Sequence, residues 1–194
     1  METLKEWWSS LESEWKTIFL NILNSQNRPT EEDFGTILAL KEINCGNTAI
    51  TTLEPLRILS KLEKVICFKT EVSSLEPLAE LKELKEIRFF ETHVESLESI
   101  KNLTKLEELR FHLTHINDLE PIRNLVNLKV LHCSNLDITT LEPITNLIKL
   151  EKIFCSDTLI DNLSALKNME NLEKLYCNNT EISSIEPLFN LHKL

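Results

Sequence analysis

Five cysteines and five histidines are the residues of this chain best suited to hold a metal or to pair a nucleophile with a base. Cys45, Cys67, Cys133, Cys155 and Cys177 fall 22 residues apart or three times that. Tetrahedral metal sites use closely spaced ligand pairs such as C-x₂-C, and this spacing contains none. The odd count argues against a disulfide framework, so the expectation is reduced thiols acting as small apolar side chains. His93 and His115 are also 22 apart, and their imidazoles could meet, but two ligands make a poor metal site. Glycine occurs twice, at Gly35 and Gly46, which cannot build a dinucleotide fingerprint, a phosphate loop or a nucleophile elbow. Glu54, Glu76, Glu120, Glu142 and Glu186 recur at one place in a repeat, as a solvated face does, and not as an acid and a base. No nucleophile falls beside a base in that register, so neither catalysis, metal nor cofactor is expected.

The bulk properties narrow the partners. Lys and Arg total 21 and Asp and Glu 31, a net charge of −10 over 194 residues. A duplex-binding protein presents a basic face, and an anionic bilayer repels an acidic one, so nucleic acid and membrane are disfavoured. No apolar run approaches the ~18 residues of a spanning helix. The opening Met1-Glu2-Thr3-Leu4-Lys5-Glu6 has no basic region followed by an apolar stretch, which predicts a cytoplasmic protein.

The elements that must position these residues emerge when the chain is written in rows of 22 from Leu53. Four rows open Leu-Glu-Pro, at 53, 75, 119 and 141, and a last one opens Ile185-Glu186-Pro187. The tenth position is Leu in each row from Leu62 to Leu194, and the thirteenth reads Val65, Ile87, Leu109, Leu131, Ile153 and Leu175. A degenerate row from Glu31 to Thr52 supplies Phe34, Ile37, Leu40, Ile43, Cys45 and Ile50 at the matching places. All five cysteines stand at position 15, which Phe89 and Phe111 hold in the remaining full rows.

The pattern L-x-x-L-x-(C/F)-x-x-T-x-I resembles the leucine-rich repeat, and its 22-residue length and Leu-Glu-Pro opening resemble the internalin-like and phosphatase-regulator-like class. Thr48, Thr70, Thr92, Thr114, Thr158 and Thr180 replace the family's usual ladder asparagine, with Leu136 in one row. The resemblance implies an α/β solenoid: a horseshoe with a parallel β-sheet on its concave face and short 3₁₀ or helical turns on its convex face. The periodicity leads to the same place. Apolar residues at positions 13 and 15 mark a strand with one buried face, and those at 1, 4, 7 and 10 suit a 3₁₀ turn. One such row cannot bury its own faces, but stacked rows can.

Leu4, Trp7, Trp8, Leu11, Trp15, Ile18, Phe19 and Ile22 predict an amphipathic helix over 3–23, covering the first core layer as a cap. Residues 1–30 then form a cap and loop. Residues 31–194 form seven full repeats (31–184) and a truncated one (185–194). Thr30-Glu31-Glu32-Asp33 reads as a capping box. The last apolar layer has no cap of its own, which suggests either a homodimer formed end to end or a piece of a longer chain.

On the open face of the sheet the scaffold imposes no residue type, so the residues there carry information about function. Position 14 includes Ile66, Arg88, Arg110, His132, Phe154 and Tyr176, and position 16 includes Phe68, Phe90 and His112. Aromatic and arginine clusters facing water are the composition of interaction hot spots. The reading is a non-catalytic scaffold that binds a protein or peptide there, its partner carrying apolar anchors and acidic or phosphorylated groups. Three alternatives stand beside it: a regulatory subunit docking an enzyme such as a phosphatase, a small anionic ligand at Arg88, Arg110, His112 and His132, and self-assembly through the C-terminal end. Glu86 and Glu108 lie beside the arginines and would partly neutralise them.

Overall fold

A computed structural model describes residues 4–194, so Met1, Glu2 and Thr3 of the opening stretch lie outside the described residues. Seven three-residue strands form one parallel sheet in chain order: β1 Glu42–Asn44, β2 Lys64–Ile66, β3 Glu86–Arg88, β4 Glu108–Arg110, β5 Val130–His132, β6 Lys152–Phe154 and β7 Lys174–Tyr176. Each residue pairs with the one 22 places on, as in Val65↔Ile87 and Leu131↔Ile153. The register is that of the sequence rows, and at ~4.8 Å per strand the sheet is about 30 Å wide.

A 3₁₀ turn follows every strand, from Glu54–Leu56 to Glu186–Leu188. Proline at its start fixes φ and needs no hydrogen-bond partner for a missing N–H, and Pro55, Pro77, Pro121 and Pro143 are buried there. Two residues before the turn's first residue, a short polar side chain accepts that residue's N–H. Thr52, Ser74, Ser96, Asp118, Thr140, Asn162 and Ser184 all do so, at 2.8–3.2 Å. The threonines standing for the ladder asparagine are also used. The hydroxyls of Thr48, Thr70, Thr92, Thr114, Thr158 and Thr180 donate to the carbonyl three residues earlier at 2.6–2.9 Å. Leu136 lacks a hydroxyl, and its row gains a parallel bridge to Thr158 instead.

The residue before each of these threonines, and before Leu136, has φ between 51° and 58°: Asn47, Lys69, Glu91, Leu113, Asn135, Asp157 and Asn179. That left-handed conformation suits Asn and Asp, whereas an ordinary L side chain adopts it at a cost of about 1 kcal/mol.

The N-terminal helix expected over 3–23 is broken in two, and residue 3 lies outside the described residues. α1 spans Leu4–Ser10 and α2 spans Ser13–Ile22. Ser9 and Ser10 turn their hydroxyls back onto Lys5 O and Trp7 O, and Leu11 N bonds Trp8 O three residues back, so the last turn tightens and stops. Helix α3, Glu31–Leu38, opens on the expected capping box between Thr30 and Asp33. In the degenerate row it takes the place of a 3₁₀ turn.

One apolar core runs from Trp7 to Leu191. Trp15 is fully buried and donates its indole N–H to Thr52 O at 2.9 Å, joining the helices to the solenoid. Phe89 and Phe111 stack inside at 5.9 Å, and the cysteine positions lie in the same inner layer.

Candidate functional site

Strand residues two apart share a face, so positions 14 and 16 of each row look outward from the sheet. The in-register stacking then lays those positions side by side, and the rings make one continuous stack. Phe68 lies on Phe90 (4.8 Å between centroids, planes 7° apart) and Phe90 on His112 (4.4 Å, 14°). His112 lies on His132 (3.9 Å, 18°), and His132 meets Phe154 at 5.0 Å in a tilted contact. Phe154 closes the series on Tyr176 (4.9 Å, 6°). Each offset-stacked aromatic pair contributes about 0.5–1.5 kcal/mol beyond its buried area, so the ladder is a rigid feature of the face.

The stack changes position midway. Phe68, Phe90 and His112 stand at position 16, whereas His132, Phe154 and Tyr176 stand at position 14. Arg110 is the in-register partner of His132, so the His112–His132 contact is diagonal. Position 16 of that row is Ser134, small and buried. At the other end, Phe68 leans over Gly46, where an added Cβ would lie 2.6 Å from two ring carbons.

Burial acts on both histidines. Desolvation pulls His112 below the ordinary imidazole value, with Arg110 adding to the effect and Glu91 opposing it. His132 is lowered to about 4, first by desolvation, then by His112 and Arg110. Both Nδ1 atoms are buried without a hydrogen-bond partner among the described residues. At neutral pH the middle of the ladder is therefore uncharged.

Arg88 and Arg110 flank the stack but are not free. Arg88 Nε donates to Glu108 Oε1 at 3.0 Å and also lies against Glu86, while Arg110 Nε donates to the same Glu108 oxygen at 2.6 Å. Lys64 bridges Glu42 and Glu86 at 3.3 and 3.5 Å. The amino-terminal half of the face is thus a paired network, with the neutralisation by Glu86 and Glu108 that the sequence suggested. Lys152 and Lys174, in register on β6 and β7, have no acidic partner among the described residues.

Of the nine residues expected to present a binding surface, eight are partly or fully accessible. Ile66 is the exception, only 8% exposed although it lies on the outer face. It lies between Asn44 and Arg88 in register, with Phe68 two residues further on, and an apolar side chain so surrounded is covered. His93 and His115 meet on the loop side at 6.2 Å, with His93 Nε2 2.8 Å from Glu71. No group of three or more metal-ligating side chains converges among the described residues.

The cysteines offer no reactive thiolate. Burial pushes Cys45 and Cys155 up to about 12, holds Cys67 and Cys133 well above the ordinary thiol value, and also raises partly buried Cys177. All five are unpaired. No described helix is long and apolar enough to cross a membrane.

Solved structures share this architecture. Internalin C2 from Listeria monocytogenes aligns with a TM-score of 0.78 and 22% identity over 94% of this chain and 91% of that one. A leucine-rich-repeat protein from Leptospira interrogans aligns at 0.77 and 21% identity, over 88% of this chain and 45% of that one. The functional domain of InlJ from Listeria monocytogenes, which includes a cysteine ladder, aligns at 0.75 and 20% identity, over all of this chain and 46% of that one. The chain spans less than half of the latter two. No known family pattern matches the sequence, and no curated protein does. At these identities the likeness is one of fold: a leucine-rich-repeat solenoid with its strands on the concave face, as the internalin-like rows imply.

Proposed function

We propose that the chain is a non-catalytic interaction module that binds a protein or peptide across its concave sheet, with residues 1–30 as cap and 31–194 as the repeat array. One observation carries the reading: six rings from six successive rows, Phe68 to Tyr176, form a continuous series of ring contacts on the solvent side of a charged sheet. Strand propensity alone would scatter aromatics over the face, whereas an ordered apolar strip flanked by polar residues is the anatomy of an interface. The proposed contact residues are Phe68, Arg88, Phe90, Arg110, His112, His132, Phe154 and Tyr176.

The absence of a nucleophile–base pair around the described thiols and histidines supports a binding role. The charge of −10 favours a protein partner over nucleic acid or membrane. Five unpaired thiols agree with a reducing, cytoplasmic compartment. Pairing of Arg88 and Arg110 with glutamates weighs against a small anion bound at those residues.

The test is affinity capture from a native extract, wild type beside Phe90→Ala/Phe154→Ala, with equal urea unfolding midpoints required first. A protein held by wild type and lost by the variant supports the concave site. Equal capture by both moves the site off the concave face.

A further inference from the structure

Up to the last two strands the charges of the sheet are answered, including the like pairs Glu86↔Glu108 and Arg88↔Arg110 of β3 and β4, which bond one another. Lys85 bonds Glu63 at 2.6 Å, Lys129 bonds Glu107 at 2.7 Å, and Lys64 lies between Glu42 and Glu86. Lys152 and Lys174 differ in being unanswered. They are in-register neighbours on β6 and β7, like charges one strand apart, with no carboxylate in ion-pair range among the described residues. Like charges placed directly opposite destabilise a sheet. The chain has an excess of acids, 31 against 21 basic residues, so the missing partner is a matter of placement and not of supply. Glu151 and Glu173 precede the two lysines in sequence and therefore point the other way, with Glu151 acting on Lys129.

The same strands carry Phe154 and Tyr176, parallel to within 6° and on the lysines' side of the sheet. Tyr176 is 46% exposed. An unanswered positive pair thus borders an accessible aromatic surface.

We propose that Lys152 and Lys174 form the anion-recognising subsite of the concave face, taking the carboxylate side chains of an acidic peptide segment whose apolar part lies on Phe154 and Tyr176. This deepens the concave-face reading and rests on it. It also orients the ligand, placing the acidic end over β6 and β7 and the apolar remainder toward Phe90. The arginines, already bonded to Glu108, contribute little of the attraction.

The experiment selects a displayed library of random twelve-residue peptides on the intact chain and measures the recovered peptides by titration. Acidic peptides are expected, weakened by salt and by Phe154→Ala. Reversing both charges turns attraction for a carboxylate into repulsion, so Lys152→Glu/Lys174→Glu is expected to weaken binding about tenfold or more. The same variant used as bait is expected to recover basic peptides. Peptides that depend on Phe154 but bind the double-lysine variant within about twofold would overturn the subsite and leave the concave face standing. Recovery of no peptide, or only of peptides indifferent to Phe90 and Phe154, would overturn both. Capture of phosphatidylserine vesicles or of polyuridylate through the two lysines, in place of acidic peptides, would overturn the subsite as assigned.

Discussion

His112 and His132 stack face to face, 3.9 Å between centroids and 18° from parallel, although they occupy different positions in their repeats. The contact joins the two halves of the aromatic ladder, so its protonation state bears on the whole face. Burial, the neighbouring imidazole and Arg110 lower His132 to about 4 from an ordinary 6.5. The unfolded chain therefore binds more protons than the native one between those values, and stability falls as the pH drops from about 6.5 to about 4. For a half-exposed ring screened by solvent the loss is about 1–2 kcal/mol. His132→Phe keeps a ring in the stack and removes the titration. Urea unfolding at pH 7, 5.5 and 4 is expected to show wild type losing stability relative to that variant. A constant difference across the range would contradict it, and the carboxylates cancel because both proteins carry them.

Leu113 sits in the left-handed region at φ 57° with its side chain about half exposed. Asn47, Asn135, Asp157 and Asn179 hold the equivalent conformation, where a short polar side chain is tolerated and leucine is strained. Leu113→Asn is therefore expected to stabilise the chain by about 0.5–1 kcal/mol, read as a higher urea midpoint at unchanged slope. The reverse change, Asn135→Leu, is expected to lose a similar amount.

Strands, register and the inward thiols were legible because the 22-residue rows contain no insertions, so each residue's stacking neighbour could be counted off. The break between α1 and α2 was not, since Trp7, Trp8, Leu11 and Trp15 keep helical spacing straight through it. The hydroxyls of Ser9 and Ser10 were the only local signal. The site was half legible. Comparing like positions finds Phe68 beside Phe90 and Phe154 beside Tyr176, but it cannot find His112 on His132, which is a diagonal contact. The small Ser134 next to His112 was the clue to that step. Ile66 lies on the face that alternation assigns it, but alternation does not say how well its neighbours cover it.

Burial also orders the thiols by reactivity. Thiolates react and thiols do not, and desolvation holds Cys45, Cys67, Cys133 and Cys155 protonated at neutral pH. Cys177 lies in the partly exposed last row, where the upward shift is smaller. A chromogenic disulfide reagent at pH 8 is expected to modify Cys177 first and the other four at the rate of unfolding. Peptide mapping of the labelled protein identifies the site. Fast labelling of Cys67 or Cys133 would show that the inner layer opens far more readily than its packing implies.

Gly46 marks where the ladder ends, and the reason is steric. Its backbone φ is not in the left-handed region, so glycine is not required there for conformation. It is required for space, because a Cβ would stand 2.6 Å from Cδ1 and Cε1 of Phe68. An exposed aromatic could ordinarily swing aside, but Phe68 is held by its parallel contact with Phe90 at 4.8 Å. Moving it gives up that stack, about 0.5–1.5 kcal/mol. Gly46→Ala is therefore expected to destabilise by about 1 kcal/mol, and Phe68→Ala by a similar amount through the lost stack. In the double variant the small side chain at 68 leaves room for the new methyl, so the two losses must not add. A coupling of about 1 kcal/mol in a double-mutant cycle, measured by urea unfolding, is the expected result. Additive losses would mean that Phe68 clears the methyl without leaving Phe90, and that the stack does not hold the first ring in place.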